Sequence, residues 1–200
     1  MILSRNPGRT TAIVFAGLLS IAAAERAPAA DADQAPNASA AQEISEAARK
    51  AYAESMRQAH ALLSQKKYDE AIAQLDKLAA ERPREPQARF LRAVVLGDQK
   101  KNDDAIAAYR GLVADFPEMP EPHNNLAVLY AQKGELALAR DELTLAISTA
   151  PDYALAHENL GDVYAQLAVQ QYQRAADLDK RNKTAPVKLK TVRDAIQAAP

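Results

Sequence analysis

Landmark residues recur in this chain at intervals of 34. Pro83, Pro117 and Pro151 form one column, Ala71, Ala105 and Ala139 a second, and Ala59, Ala93, Ala127 and Gly161 a third. A unit repeated at this period is a supersecondary block that cannot bury its apolar side alone, so it stacks on its neighbours. The proline column marks helix ends, because proline lacks an amide donor and disfavours helix in the residue before it. Apolar spacings of three and four, as in Ala71, Ile72, Leu75 and Leu78, place each block's buried side chains on one helix face.

The first three blocks each read as two helices. The first spans residues 42–85, with a leading helix from near Gln42 that carries Ile44, Ala47, Ala48, Ala51, Ser55, Ala59 and Leu62 on one face. Its turn at Lys66-Lys67 has no glycine. The second block, 86–119, carries Leu91, Ala93, Val94 and Leu96 on its first helix and Ala105, Ile106, Tyr109 and Leu112 on its second; Asn102 or Asp103 is placed to cap the second helix. Pro86 and Pro120 open the second and third blocks near a helix start, where proline is tolerated. In the fourth block, 154–183, His157, Leu160, Gly161 and Tyr164 keep register, but no Gly or Pro lies between Asp162 and Asp179. That predicts one continuous helix from about Tyr153 to Asp179, with Leu160, Tyr164, Ala168, Tyr172 and Ala175 as its packing ridge; two helices with a cramped turn near Val169 are the alternative. Residues 184–200 form a capping helix with the stripe Leu189, Val192 and Ile196, after a cap at Asn182 or Thr184. Lys180, Arg181, Lys183, Lys188, Lys190 and Arg193 crowd this end, either as a solvated face or as a site for an acidic partner.

Residues 120–153 hold Leu126-Ala127, Tyr130, Gly134, Ala139, Leu143, Ala146 and Pro151. This pattern resembles the tetratricopeptide repeat, a helix–turn–helix unit of 34 residues. The resemblance covers about Tyr52 to Asp179 and implies an all-α fold, a right-handed α-solenoid with its first helices lining a concave side. By that resemblance the groove positions are Met56, Arg57, His60 and Ser64, then Phe90, Leu91, Val94 and Asp98. The third block contributes Asn124, Asn125, Val128 and Gln132, and the fourth Glu158, Asn159, Asp162 and Gln166. The groove is apolar in its first half and carries amides in its second. Asn125 and Asn159 share a column, where they either bond a peptide backbone or bond neighbouring helices and water. A single recognition site is expected around Phe90, Asn125 and Asn159. The family's lysine-rich clamp for a terminal carboxylate is missing.

The N-terminus adds a location. Arg5 and Arg9 precede the apolar run Thr11–Ala24, which ends in small residues: the order of a secretory signal, residues 1–24, cut after Ala24 or Ala30. An uncleaved anchor is the alternative. Residues 25–41, rich in Ala, Pro and Asp, read as a disordered tether. Exported tetratricopeptide proteins of Gram-negative bacteria, which this chain resembles, serve envelope assembly; the implied location is periplasmic.

Chemistry is sparse. The absence of cysteine excludes disulfides, thiolate metal sites and a cysteine nucleophile. No phosphate loop, nucleophile elbow or zinc-binding His-Glu-x-x-His occurs. His60, His123 and His157 supply no catalytic set, since the last two are simply one period apart. The formal charge of −1 argues against nucleic acid as the partner. The expectation is a protein without enzymatic activity, cofactor or metal. It binds a peptide or protein, or alternatively serves as a structural subunit that self-associates or fills its own groove.

Overall fold

The computed structural model describes residues 35–198. The signal segment 1–24 and the tether as far as residue 34 lie outside the described residues. Eight helices and no strand occur among those described: α1 (Ala35–Ser64), α2 (Tyr68–Glu81), α3 (Gln87–Asp98), α4 (Asn102–Asp115), α5 (Pro120–Gln132), α6 (Leu136–Thr149), α7 (Ala154–Leu178) and α8 (Thr184–Ala198). Contacts divide the chain between Val95 and Leu96, inside α3, into two compact units.

The backbone reproduces the sequence period. Lys66, Lys100 and Gly134 occupy one column, and all three have positive φ, at 60°, 63° and 79°. The residue after each precedes a second helix: the amides of Ala71, Ala105 and Ala139 donate to the carbonyls of Lys67, Lys101 and Glu135. Those second helices end alike, with Arg82, Phe116 and Ala150 near φ −135° and each amide on the carbonyl four residues back. The residue before α4 is Lys101, with no side-chain cap, so the expected Asn102 or Asp103 cap does not form. The left-handed residue at 100 delivers the chain so that Asn102 is already inside the helix.

In the first unit, Ala59, Leu75, Leu78, Ala88, Leu91 and Val95 form the core, flanked by Tyr52, Met56, Leu63, Tyr68, Ile72 and Ala79. The expected face of α1 is only partly used. Ala47, Ala48 and Ala51 are exposed, and burial begins in earnest at Ala59. The lengths explain this: α1 has 30 residues and α2 has 14, about 45 Å against 21 Å, so the N-terminal turns of α1 overrun their partner. α1 also starts at Ala35, so residues 35–41, expected to be tether, are helical. Alanine is the best helix former, and Pro36 sits in the first turn where its missing N–H costs nothing.

Arg82 closes this unit. Its guanidinium lies 4.9 Å from the centre of the Tyr52 ring, donates to the Ala48 carbonyl at 2.6 Å and meets Glu85 at 2.7 Å. Thus the residue before Pro83 ties the end of α2 back to α1.

In the second unit Tyr109, Leu112, Leu126 and Leu143 are fully buried, with the small column residues Ala105, Ala127 and Ala139 letting helices approach. α7 runs unbroken for 25 residues. Position 168, one period after Gly134, is an alanine within it, so no left-handed turn interrupts the helix. Of the expected ridge on α7, Leu160, Ala168, Tyr172 and Ala175 are half-buried but Tyr164 is 52% exposed, and the fully buried side chains are Ala156 and Val163. α8 packs on α7 through Ala185 and Leu189. Asn182 Oδ1 accepts from the amides of Thr184 and Ala185, which makes it the cap.

Candidate recognition surface

In the first unit the groove residues inferred from the resemblance have varied fates. Met56 packs against the core, and Leu91 and Val94 are buried, so none of the three offers an open apolar wall. The open apolar half-groove expected around them is not what these three side chains form: Leu91 belongs to the core with Leu75 and Leu78 of α2, Met56 packs against that core, and Val94 is buried. Phe90 is half-buried. Arg57 is exposed and pairs with Glu54 one turn earlier, while the Ser64 hydroxyl donates to the Ala61 carbonyl at 2.7 Å. His60 is exposed.

The second unit holds a chain of amides. Asn159 on α7 donates from Nδ2 to Asn124 Oδ1 on α5 at 2.8 Å. Asn124 donates to Asn125 Oδ1 at 3.3 Å, and Asn125 donates to the Tyr109 hydroxyl on α4 at 3.1 Å. Asn124 is only 1% exposed, and Asn125 and Tyr109 are also buried. A buried amide without partners is costly, and this relay gives partners to two of them, Asn124 and Asn125, while linking three helices. Burial pushes the Tyr109 phenol well above its usual range, so the hydroxyl stays protonated as a neutral hydrogen-bonding group.

Of the two roles open to the shared column, Asn125 therefore takes the structural one. Asn124 and Asn125, expected on the groove surface, are buried and bonded within the protein. Asn159 is half-buried, and its bond to Asn124 uses one of the amide's two hydrogens. On the same stretch of α7, Glu158 and Asp162 are exposed and Gln166 is half-buried. Val128, one turn beyond Asn124 on α5, is half-buried, and Gln132, a further turn on, is exposed. The surface beside the relay is thus amide and acid with one apolar side chain, and it belongs wholly to the second unit. Phe90, expected at the same site, lies in the first unit.

Two contacts escaped sequence reading. His123 and His157 share a column but not a role. His123 is buried with Nδ1 at 2.7 Å from Glu142 Oε2, linking α5 to α6, while His157 is exposed with Nε2 at 3.0 Å from the Pro151 carbonyl. Lys133 reaches Asp103 at 2.9 Å, joining the α5–α6 turn to the start of α4. Only the recurrence of acids 19 or 30 residues away could have signalled them, and that is too common to read.

No group of three or more His, Cys, Asp or Glu among the described residues is placed to hold a metal ion. An open depression of about 490 Å³ lies along Gln170, Gln171, Gln173, Arg174, Asp177 and Leu178. All six are on α7, and one helix cannot enclose a ligand. No described helix is long and apolar enough to cross a membrane.

The tetratricopeptide repeat family matches residues 56–120 and 95–154. The chain is a tetratricopeptide repeat protein, built from the helix–turn–helix units of that family. Solved structures share the fold. The first TPR of Spaghetti (RPAP3) bound to HSP90 peptide SRMEEVD is 20% identical with a TM-score of 0.54, over 58% of this chain and 93% of that one. A tetratricopeptide repeat protein from Parabacteroides merdae is 18% identical with a TM-score of 0.54, over 73% and 61%. MamA is 19% identical with a TM-score of 0.52, over 68% and 83%. No curated protein matches the chain.

Proposed function

We propose that this protein is an exported, non-catalytic adaptor that holds a peptide or protein partner on the first-helix surface of its repeats, in the service of an envelope-associated assembly. The repeat fold supports a protein-interaction scaffold. The basic, apolar and small-residue order of residues 1–24 supports a periplasmic location.

The observation that carries the reading is the exposed row Glu158 and Asp162 beside Asn159, with Asn159 held in place by the buried relay. A fixed amide bonds a peptide backbone without reading its side chains, and the flanking acids attract a basic or polar segment. The RPAP3 repeat is described with an acidic peptide; carboxylates on this surface disfavour such a ligand here. In this reading Asn159 contacts the partner, and Asn124 and Asn125 position it.

The test is capture from envelope extract by the wild type, by Asn159→Ala and by Glu158→Lys with Asp162→Lys, beside fractionation of the producing cell. Loss of the same captured protein in both variants is expected. Undiminished capture by both would sink this surface, and a cytoplasmic protein would sink the location. A second reading, self-association, draws on Leu138 and Leu145 of α6, both about half exposed and about two turns apart on one stripe. A sedimentation coefficient that rises with concentration, and stops rising in Leu138→Glu with Leu145→Glu, would favour it.

A further inference from the structure

We infer that the turn between α7 and α8 is a docking tip for an anionic lipid surface. This does not rest on the adaptor reading, because it concerns a different part of the second unit and a different ligand.

Three observations meet at this turn. First, Leu178 and Val187 are 78% and 64% exposed, more than any other large apolar side chain described in the chain. They close α7 and open α8, so both stand at one end of the helical hairpin. Second, cations lie between and beside them: Lys180, Arg181, Lys183 and Lys188. Third, charge is segregated. Residues 177–194 hold six of the chain's 25 basic residues and three of its 26 acidic ones, so this segment carries +3 while the rest of the chain carries −4.

Some of these cations have partners, but not ones that cancel the field. Lys180 meets Asp177 at 3.1 Å and Arg181 meets Asp179 at 3.7 Å, both in water, where such pairs are loose and exchange readily for another anion. Lys188 lies 5.7 Å from the centre of the Tyr172 ring, which holds it against α7 without neutralising it.

Shape decides the kind of partner. Between Asp177 and Lys188 only Ala185 is buried and Asn182 half-buried; every other residue is exposed. The depression that reaches Asp177 and Leu178 is open and lined by α7 alone, so the tip encloses nothing that would grip a protein's side chains, and a specific protein interface needs a broad complementary patch. A bilayer interface is deformable. It accepts isolated apolar side chains at headgroup depth while its anionic headgroups meet the surrounding lysines and arginines. Two small apolar contacts and a few cations make this a reversible, salt-sensitive attachment, distinct from any membrane span.

The chain contains no tryptophan, so a single indole reports its own surroundings. The experiment places Leu178→Trp in the full chain, with Leu138→Trp on α6 as the comparison, and adds vesicles of phosphatidylglycerol and phosphatidylcholine or of phosphatidylcholine alone. Circular dichroism checks that each variant keeps the helical content of the wild type. Expected for Leu178→Trp are a blue shift and quenching by brominated acyl chains with the anionic vesicles only. The shift should disappear at high salt and in Lys180→Glu with Lys183→Glu. Attachment through another part of the chain leaves this indole unshifted, and that outcome overturns the inference. So does an equal response of Leu138→Trp, or an equal response to phosphatidylcholine alone. A shift produced by soluble poly-glutamate but not by vesicles would assign the tip to an acidic polypeptide and overturn the lipid assignment.

Discussion

Replacing Asn125 by alanine tests whether the amide relay is a structural element or a binding surface. Asn125 donates to the Tyr109 hydroxyl at 3.1 Å and accepts from Asn124 at 3.3 Å, and it is buried. The substitution strands the Asn124 amide and takes a donor from Tyr109, at about 1–3 kcal/mol for a buried polar group left without its partner. The second bond is long, which lowers its share, and the lost side chain leaves a small void. The sum is a destabilisation of about 2–4 kcal/mol. Tyr109→Phe removes only the hydroxyl and should cost about 1–2 kcal/mol. Leu91 holds the equivalent position one repeat earlier, so Asn125→Leu is a substitution of known fit in this fold. Combined with Tyr109→Phe, it removes both partners of one bond, and the pair should cost about 1 kcal/mol less than the two single changes added together. Urea unfolding followed by circular dichroism measures each value, with an unchanged slope as the sign that stability alone has moved. An Asn125→Ala cost below about 0.5 kcal/mol, or strict additivity in the double variant, would show that the relay does not hold α4, α5 and α7 together.

Other outcomes follow from single residues. Gly134 has φ 79° and open space around a built Cβ, so Gly134→Ala meets backbone strain alone and should cost about 1 kcal/mol. Lys100 has φ 63° in the same column, and Lys100→Gly should be neutral or stabilise by about 0.5 kcal/mol in the same unfolding assay. Arg82→Ala removes the ring contact to Tyr52 and the bond to Ala48 together, and should lower stability by about 1–2 kcal/mol, read as a lower melting temperature. Burial, helped by Glu121, pushes the Tyr153 phenol from 10.0 up to about 12. A raised folded value means that its stabilisation is full below pH 10 and is lost as pH rises through about 12, so urea midpoints should fall across that window and fall less in Tyr153→Phe.

How legible the protein was depends on the distance over which each property is decided. Repeat boundaries and the long α7 follow from residues within one or two turns of each other: Pro83, Pro117 and Pro151 stop helices, and the lack of Gly or Pro after Asp162 lets one continue. The small columns Ala71, Ala105 and Ala139 likewise announce close packing. The candidate site was legible only as a set of positions. Its residues were named, but Leu91 and Val94 turned out buried, and Asn124 and Asn125 turned inward.

By itself, then, the sequence determined the period, the helices and the family, because helix formation and termination are local and a 34-residue repeat states them several times over. Tertiary structure alone decided which side of each helix faces its neighbours. A rotation of α7 by a fraction of a turn separates a buried Tyr164 from a buried Val163, and nothing in the local pattern chooses between them. The same packing separated His123, locked to Glu142, from His157 in solvent, and closed Asn159, Asn124, Asn125 and Tyr109 into one relay. An amide's partner is set by what lies within about 3 Å across a helix interface, and that is fixed only when the repeats stack.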